Sequence, residues 1–205
     1  MMPSQDQGKI TASSTPRILG VVLAGGRSSR MGSDKAMLPH ASGLTFLNYA
    51  IERLSSLVPK VVVSGRLLDP QTQTIECIPD QTPGLGPGIA VWSAVLFAKQ
   101  QGFDSILVTP VDMPDLESQH LQRLIDASLP GVPTCATFDG SLPHPLVAIY
   151  SVSLEHELQC VAESTRRSLR AWLASRAHTL VQLPESAKRD LNSPADLTLL
   201  ADRHD

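Results

Sequence analysis

Aromatic residues are few: two tryptophans, two tyrosines and four phenylalanines make up 4% of the 205 residues. So sparse a set leaves few stacking platforms for single-stranded nucleic acid. A formal net charge of −3 gives no general basic surface for a duplex either. Cysteine is scarce. Cys77, Cys135 and Cys160 are scattered, with no CxxC pair and no nearby histidine to complete a zinc site. That pattern excludes a disulfide framework and reads as reduced thiols in a cytoplasm. No apolar run approaches the length of a membrane span. The first sixteen residues lack the apolar stretch of a signal peptide. Rich in Ser, Thr and Gln, Met1–Pro16 is expected to be a disordered tail ahead of a single domain over residues 17–205.

What is present is an alternation of short apolar strands and helical segments. Arg17–Ala24 (RILGVVLA) reads as a strand buried on both faces, and Lys60–Ser64, Thr74–Ile78 and Asp104–Thr109 as further strands. Thr45–Leu57 has apolar residues at near-helical spacing, with Thr45 as its expected N-cap. Ile89–Lys99 and Glu117–Leu129 read as helices, followed by strands at Pro133–Phe138 and Pro145–Tyr150. Helices are expected at Leu154–Glu163 and Ser168–Ser175, then a strand at Thr179–Leu183 and a short helix from about Pro194. This order predicts a three-layer α/β fold, a mostly parallel sheet with helices on both faces. In such sheets ligands sit beyond the carboxyl ends of the strands. The loops after Ala24, Ile78 and Thr109 therefore carry the chemical interest.

The first of them, Leu23–Lys35, reads LAGGRSSRMGSDK. Gly25, Gly26 and Gly32 let the backbone take positive φ and bring N–H groups close to a ligand, and rows of such groups make an anion-binding concavity. Arg27, Arg30 and Lys35 add positive charge suited to a triphosphate. The pattern is neither GxxxxGK[ST] nor GxGxxG. It resembles the opening motif of the molybdenum-cofactor nucleotidylyltransferases, especially their guanylyltransferase branch. By that resemblance the fold is a Rossmann-like nucleotidyltransferase fold, and Leu23, Ala24, Gly25, Gly26, Arg30, Gly32 and Lys35 wrap and neutralise the nucleotide's phosphates.

The loop after Ile78 carries Asp80 and then QTPGLGPG. From local chemistry Asp80 either accepts hydrogen bonds from a base or ribose, or bonds its own backbone as a turn former. The resemblance favours nucleotide binding, although the family's GPLAG-like stretch is replaced by Gly86-Pro87-Gly88-Ile89-Ala90. Ile106–Pro114 reads ILVTPVDMP. A carboxylate just past a buried strand suits Mg²⁺, which takes one or two carboxylates plus phosphate oxygens and waters. The competing role for Asp112 or Asp115 is to cap the next helix, and Asp115 is the better placed of the two. The match of Asp112 to the family's D-x-P element implies that it holds Mg²⁺. Asp104, at the start of the strand, belongs to the opposite edge.

In the second half, His144-Pro145 begins a strand, Arg166, Arg167 and Arg170 crowd a helix start, and RDLNSPADL ends the ordered pattern. A lone histidine and a cluster of arginines are more often structural or solvated than catalytic. The resemblance nevertheless implies an acceptor side near His144, Arg166, Arg167 and Asn192, with Asp190 standing where the family has its first asparagine. The implied reaction transfers GMP from GTP to the terminal phosphate of molybdopterin or the molybdenum cofactor, with cofactor-delivery proteins and molybdoenzymes as further partners. Two alternatives stay open. One is cytidylyl transfer to the same cofactor, although LAGG rather than LAAG favours guanylyl. The other is a non-catalytic nucleotide- and cofactor-binding delivery module.

Overall fold

The computed structural model describes residues 16–25, 35–65, 75–78, 86–166 and 168–188. Ile18–Leu23 forms β1, and all six of its residues are buried, as a β-branched run flanked on both faces requires. Phe46–Ser55 is α1, started by Thr45, whose hydroxyl accepts from the Asn48 N–H at 3.1 Å. Lys60–Ser64 is β2 and Cys77–Ile78 is β3. Pro87–Gln100 is α2, opened by a proline at the position that needs no N–H. Ser105–Pro110 is β4, again buried throughout. Ser118–Asp126 is α3, Thr134–Thr137 is β5 and His144–Ser151 is β6. Glu155–Glu163 is α4, Leu169–Ala174 is α5 and Thr179–Gln182 is β7.

These strands make one seven-stranded sheet in the order β3-β2-β1-β4-β6-β5-β7. Only β6 runs against its neighbours: it pairs antiparallel with β4 and β5, while the other pairs are parallel. One apolar core lies between the sheet and α1 with α3, built on Leu47, Leu54, Leu121 and Leu124. A second lies on the other face, where Val91, Ala94, Leu158 and Leu169 bring in α2, α4 and α5. This is the three-layer arrangement expected from the alternation.

Differences from the expected elements have local causes. The helix expected from Glu117 to Leu129 is three residues shorter at its C-terminal end, because the chain turns back through a bridge between Leu129 and Val132. Its cap is Glu117, not Asp115: Glu117 and His120 exchange backbone and side-chain bonds in a capping box. Thr74 and the short helix expected near Pro194 lie outside the described residues. Cys77, Cys135 and Cys160 are free, and burial pushes the Cys135 thiol up to about 12. No helix among the described residues is long and apolar enough to cross a membrane.

Candidate active site

The strand order reverses between β1 and β4. The chain runs outward from β1 through β2 to β3, then returns to lay β4 on the other side of β1. Loops leaving two such strands diverge and open a crevice at the carboxyl edge. The register pairs Leu23 with Pro110, so both chains leave the sheet side by side, and the Val111 N–H donates to the Leu23 carbonyl at 3.2 Å.

The β1 exit is fixed through backbone. Ala24 N–H donates to Ser64 O at 3.0 Å. Gly65, at φ +120°, lies so close to Gly25 that a Cβ there would sit 2.9 Å from the Gly25 nitrogen. Only glycine fits both the conformation and the gap. Lys35 opens a 3₁₀ turn, Lys35–Met37, that leads back toward α1. Its Nζ stands 3.8 Å from Asp112 Oδ2, with both side chains partly exposed.

The β4 exit is held by side chains. Arg53 reaches from α1 with only 4% of its surface exposed. Its Nη1 donates to the Met113 and Leu116 carbonyls, the former at 3.1 Å, and its Nη2 to Thr109 Oγ1 at 2.7 Å. His40 supports the neighbouring residue. Its Nδ1 accepts from the Ser42 N–H at 3.0 Å, which leaves the proton on Nε2 to be donated to Pro114 O at 3.3 Å. Burial lowers the His40 pKa, in keeping with that neutral ring. His40 stacks on Tyr49 with centroids 3.7 Å apart, and the Arg53 guanidinium also lies over the Tyr49 ring, 5.5 Å from its centroid.

Of the residues expected to meet the nucleotide, the structure brings Leu23, Ala24, Gly25, Lys35 and Asp112 to this crevice. Leu23 is itself the buried last residue of β1. Gly26, Arg27, Arg30, Gly32 and Asp80 lie outside the described residues, as do Arg167 and Asn192. Asp104 sits at the opposite edge, as expected, where it accepts from the Arg17 N–H at 2.8 Å. His144 begins the one reversed strand and so reaches the carboxyl edge. Its ring packs edge-on against Phe138, and its buried Nδ1 has no hydrogen-bond partner among the described residues. Burial, reinforced by Arg170 and Lys188, lowers its pKa to about 4. Arg166 belongs elsewhere, on a groove of about 430 Å³ between α4 and α5 beside Cys160 and Trp172.

Comparison with known proteins settles the family. The MobA-like NTP transferase domain matches residues 20–180. The chain is 42% identical to a probable molybdenum cofactor guanylyltransferase of Rhodopirellula baltica, over 89% of this chain and 90% of that protein. The chain belongs to the MobA-like NTP transferases. A molybdenum cofactor guanylyltransferase of Sinorhizobium fredii is 34% identical, over 86% of this chain and 84% of that one. The fold of this MobA-like transferase matches the crystal structure of molybdopterin-guanine dinucleotide biosynthesis protein A from Archaeoglobus fulgidus. The TM-score is 0.68 at 21% identity, covering 90% and 97% of the two chains.

Arg53 was not among the residues picked out from sequence, because a helical arginine ordinarily faces solvent. One signal was available. With Phe46, Ala50 and Leu54 it continues the apolar stripe of α1, a place where a charged residue must find buried partners.

Proposed function

We propose that this transferase moves GMP from GTP to the terminal phosphate of molybdopterin or its metal-loaded form. The observation that carries the reading is Lys35 and Asp112 facing each other at the switch point, 3.8 Å apart, beside the glycine exit of β1. The guanylyltransferase names of the relatives support the choice of nucleotide and acceptor.

A terminal phosphate oxygen of the acceptor attacks the α-phosphorus of GTP. The new P–O bond forms as the bond from the α-phosphorus to the bridging oxygen breaks, and pyrophosphate leaves with that electron pair. A phosphate monoester is already ionised near neutral pH, so no general base is needed. Catalysis comes from alignment and charge neutralisation. Lys35 and the glycine exit bind and neutralise the triphosphate, while His144, neutral above about pH 4, lines the acceptor side without exchanging a proton.

Mg²⁺ suits the donor set. Asp112 is a partly exposed carboxylate at the crevice, and the described residues hold no cluster of three or more ligating side chains that would cage an ion alone. A cation shared between one carboxylate and substrate phosphates is the usual arrangement for Mg²⁺. Bound by Asp112, it supplies Lewis-acid charge stabilisation to the phosphates. The free thiols fit work in the cytoplasm, with cofactor-delivery proteins and molybdoenzymes receiving the product.

The test is pyrophosphate release with molybdopterin as acceptor and GTP, CTP or ATP as donor. GTP turnover well above the other two is expected. A preference for CTP would overturn the guanylyl reading, and nucleotide binding without pyrophosphate release would leave a delivery module in its place.

A further inference from the structure

We propose that Arg53 is the positioning residue for the Asp112 carboxylate: its guanidinium fork, delivered from α1, fixes residues 109–116 so that Asp112 faces Lys35. The proposal rests on Asp112 as the metal-holding group.

Asp112 lies between two anchored neighbours. Val111 is tied by its N–H to Leu23 O, and Met113 by its carbonyl to Arg53. Leu116 O and Thr109 Oγ1 complete the fork, so one planar group spans the strand end and both limbs of the loop. A guanidinium presents several donors in a fixed plane, which an ammonium cannot do. The Arg53 carbonyl in turn accepts from Ser118 Oγ and Ser56 Oγ, linking α1 to the start of α3.

The energetics argue against stability as its sole purpose. Arg53 is buried, yet among the described residues no carboxylate lies within ion-pair distance of it and its Nε has no partner. A buried cation with only neutral acceptors bears a desolvation cost that an apolar side chain of equal volume avoids. What the apolar substitute loses is direction, since nothing then fixes the loop carbonyls relative to α1. Burial lowers the pKa to about 10, so the fork remains charged at neutral pH.

The experiment compares the full-length chain with R53M, R53K and D112N. GTP is the probe, and melting temperature is read with and without Mg²⁺, alongside the Mg²⁺ dependence of pyrophosphate release. The wild type gains an Mg²⁺-dependent rise in melting temperature with GTP, and D112N loses it. R53M unfolds cooperatively but loses most of that rise and needs at least about tenfold more Mg²⁺ for half-maximal rate. At saturating Mg²⁺ its kcat still falls about 10²-fold, while KM for GTP stays within about threefold. R53K recovers part of both. If R53M does not fold, R53K carries the same measurements, and an intermediate Mg²⁺ requirement supports the proposal. An R53M or R53K protein with wild-type Mg²⁺ half-saturation, or a loss of rate that only tracks the unfolded fraction, overturns it. If D112N keeps the rise, the assignment of Asp112 falls and this proposal with it. If D112N loses it and both Arg53 variants keep it, this proposal alone falls.

Discussion

The two strand exits that face each other across the crevice are built by opposite means. Where β1 ends, the constraint is in the main chain: Gly25 and Gly65 pass each other so closely that no side chain fits between them. Where β4 ends, the constraint is in side chains drawn from α1 and the turn before it, with Arg53 and His40 holding three carbonyls and a hydroxyl. The first device tolerates no Cβ. The second tolerates side-chain change only if the fork survives. A loop that approaches a ligand through its own N–H groups has to be free of side chains, whereas a loop that presents one carboxylate has to be rigid.

The largest effects are expected at the facing charges. Lys35→Ala or Asp112→Asn lowers kcat/KM by at least about 10²-fold, read by steady-state pyrophosphate release, with far-UV circular dichroism unchanged. A near-normal rate in either would remove its exit from the chemistry. Next, two glycine substitutions separate the β1 exit from ordinary packing. Gly65→Ala places a Cβ 2.9 Å from the Gly25 nitrogen at φ +120° and costs about 2 kcal/mol in urea unfolding, with weaker GTP binding by calorimetry. Gly20→Ala, whose Cβ would meet Val58 Cγ2 at 2.9 Å and Val61 Cγ2 at 3.1 Å, costs a similar 1–3 kcal/mol of overpacking, roughly, but leaves GTP affinity alone. Equal affinity losses in both would erase the distinction between them.

A smaller, pH-dependent effect belongs to His144. Its folded pKa of about 4 lies below the ordinary 6.5, so the unfolded chain binds a proton that the folded chain refuses. Stability is therefore full above pH 6.5 and falls as pH drops toward 4, by an amount on the order of 2 kcal/mol. His144→Gln should flatten that limb in melts taken from pH 7 to pH 4. An unchanged limb would show that His144 is solvated. Smallest is Thr45→Ala, which removes the acceptor for the Asn48 N–H and costs about 1 kcal/mol with little change in rate, since α1 continues to carry Arg53.

Legibility in the sequence divides along the same line. Strands buried on both faces announced themselves as uniform apolar runs at Ile18–Leu23 and Ser105–Pro110, and the helix cap at Thr45 by its hydroxyl. The glycine exit was legible because a main-chain requirement leaves a residue type behind. The place of Asp112 after a buried strand left it open between ligand and helix cap; the resemblance alone implies the ligand role, and the structure sets it 3.8 Å from Lys35. Arg53 and His40 were not legible, because their partners are carbonyl oxygens, which every residue possesses, some sixty to seventy-five positions away. Of the two aspartates weighed as caps of α3, position favours Asp115, but the cap is Glu117, whose reciprocal pairing with His120 is an unusual version of the capping box. His144 has Arg170 and Lys188 as its cationic neighbours, while Arg166 borders the groove between α4 and α5. Arg166 and Arg170 are both exposed, as a run of arginines at a helix start ordinarily is.

The reversal of β6 has an architectural consequence. β1 and β4 reach the crevice with their carboxyl ends. β6 reaches it with its beginning, after the short Asp139 turn whose carboxylate gathers Thr137, Ser141 and Leu142. That hairpin is pinned by Phe138, buried in the core shared with α1 and α3, and by Gln182, whose Nε2 donates to Phe138 O at 3.2 Å. Residues added or removed there would reshape the wall beside His144 while leaving the β1 and β4 ladders in register, so one side of the crevice can change shape without the other.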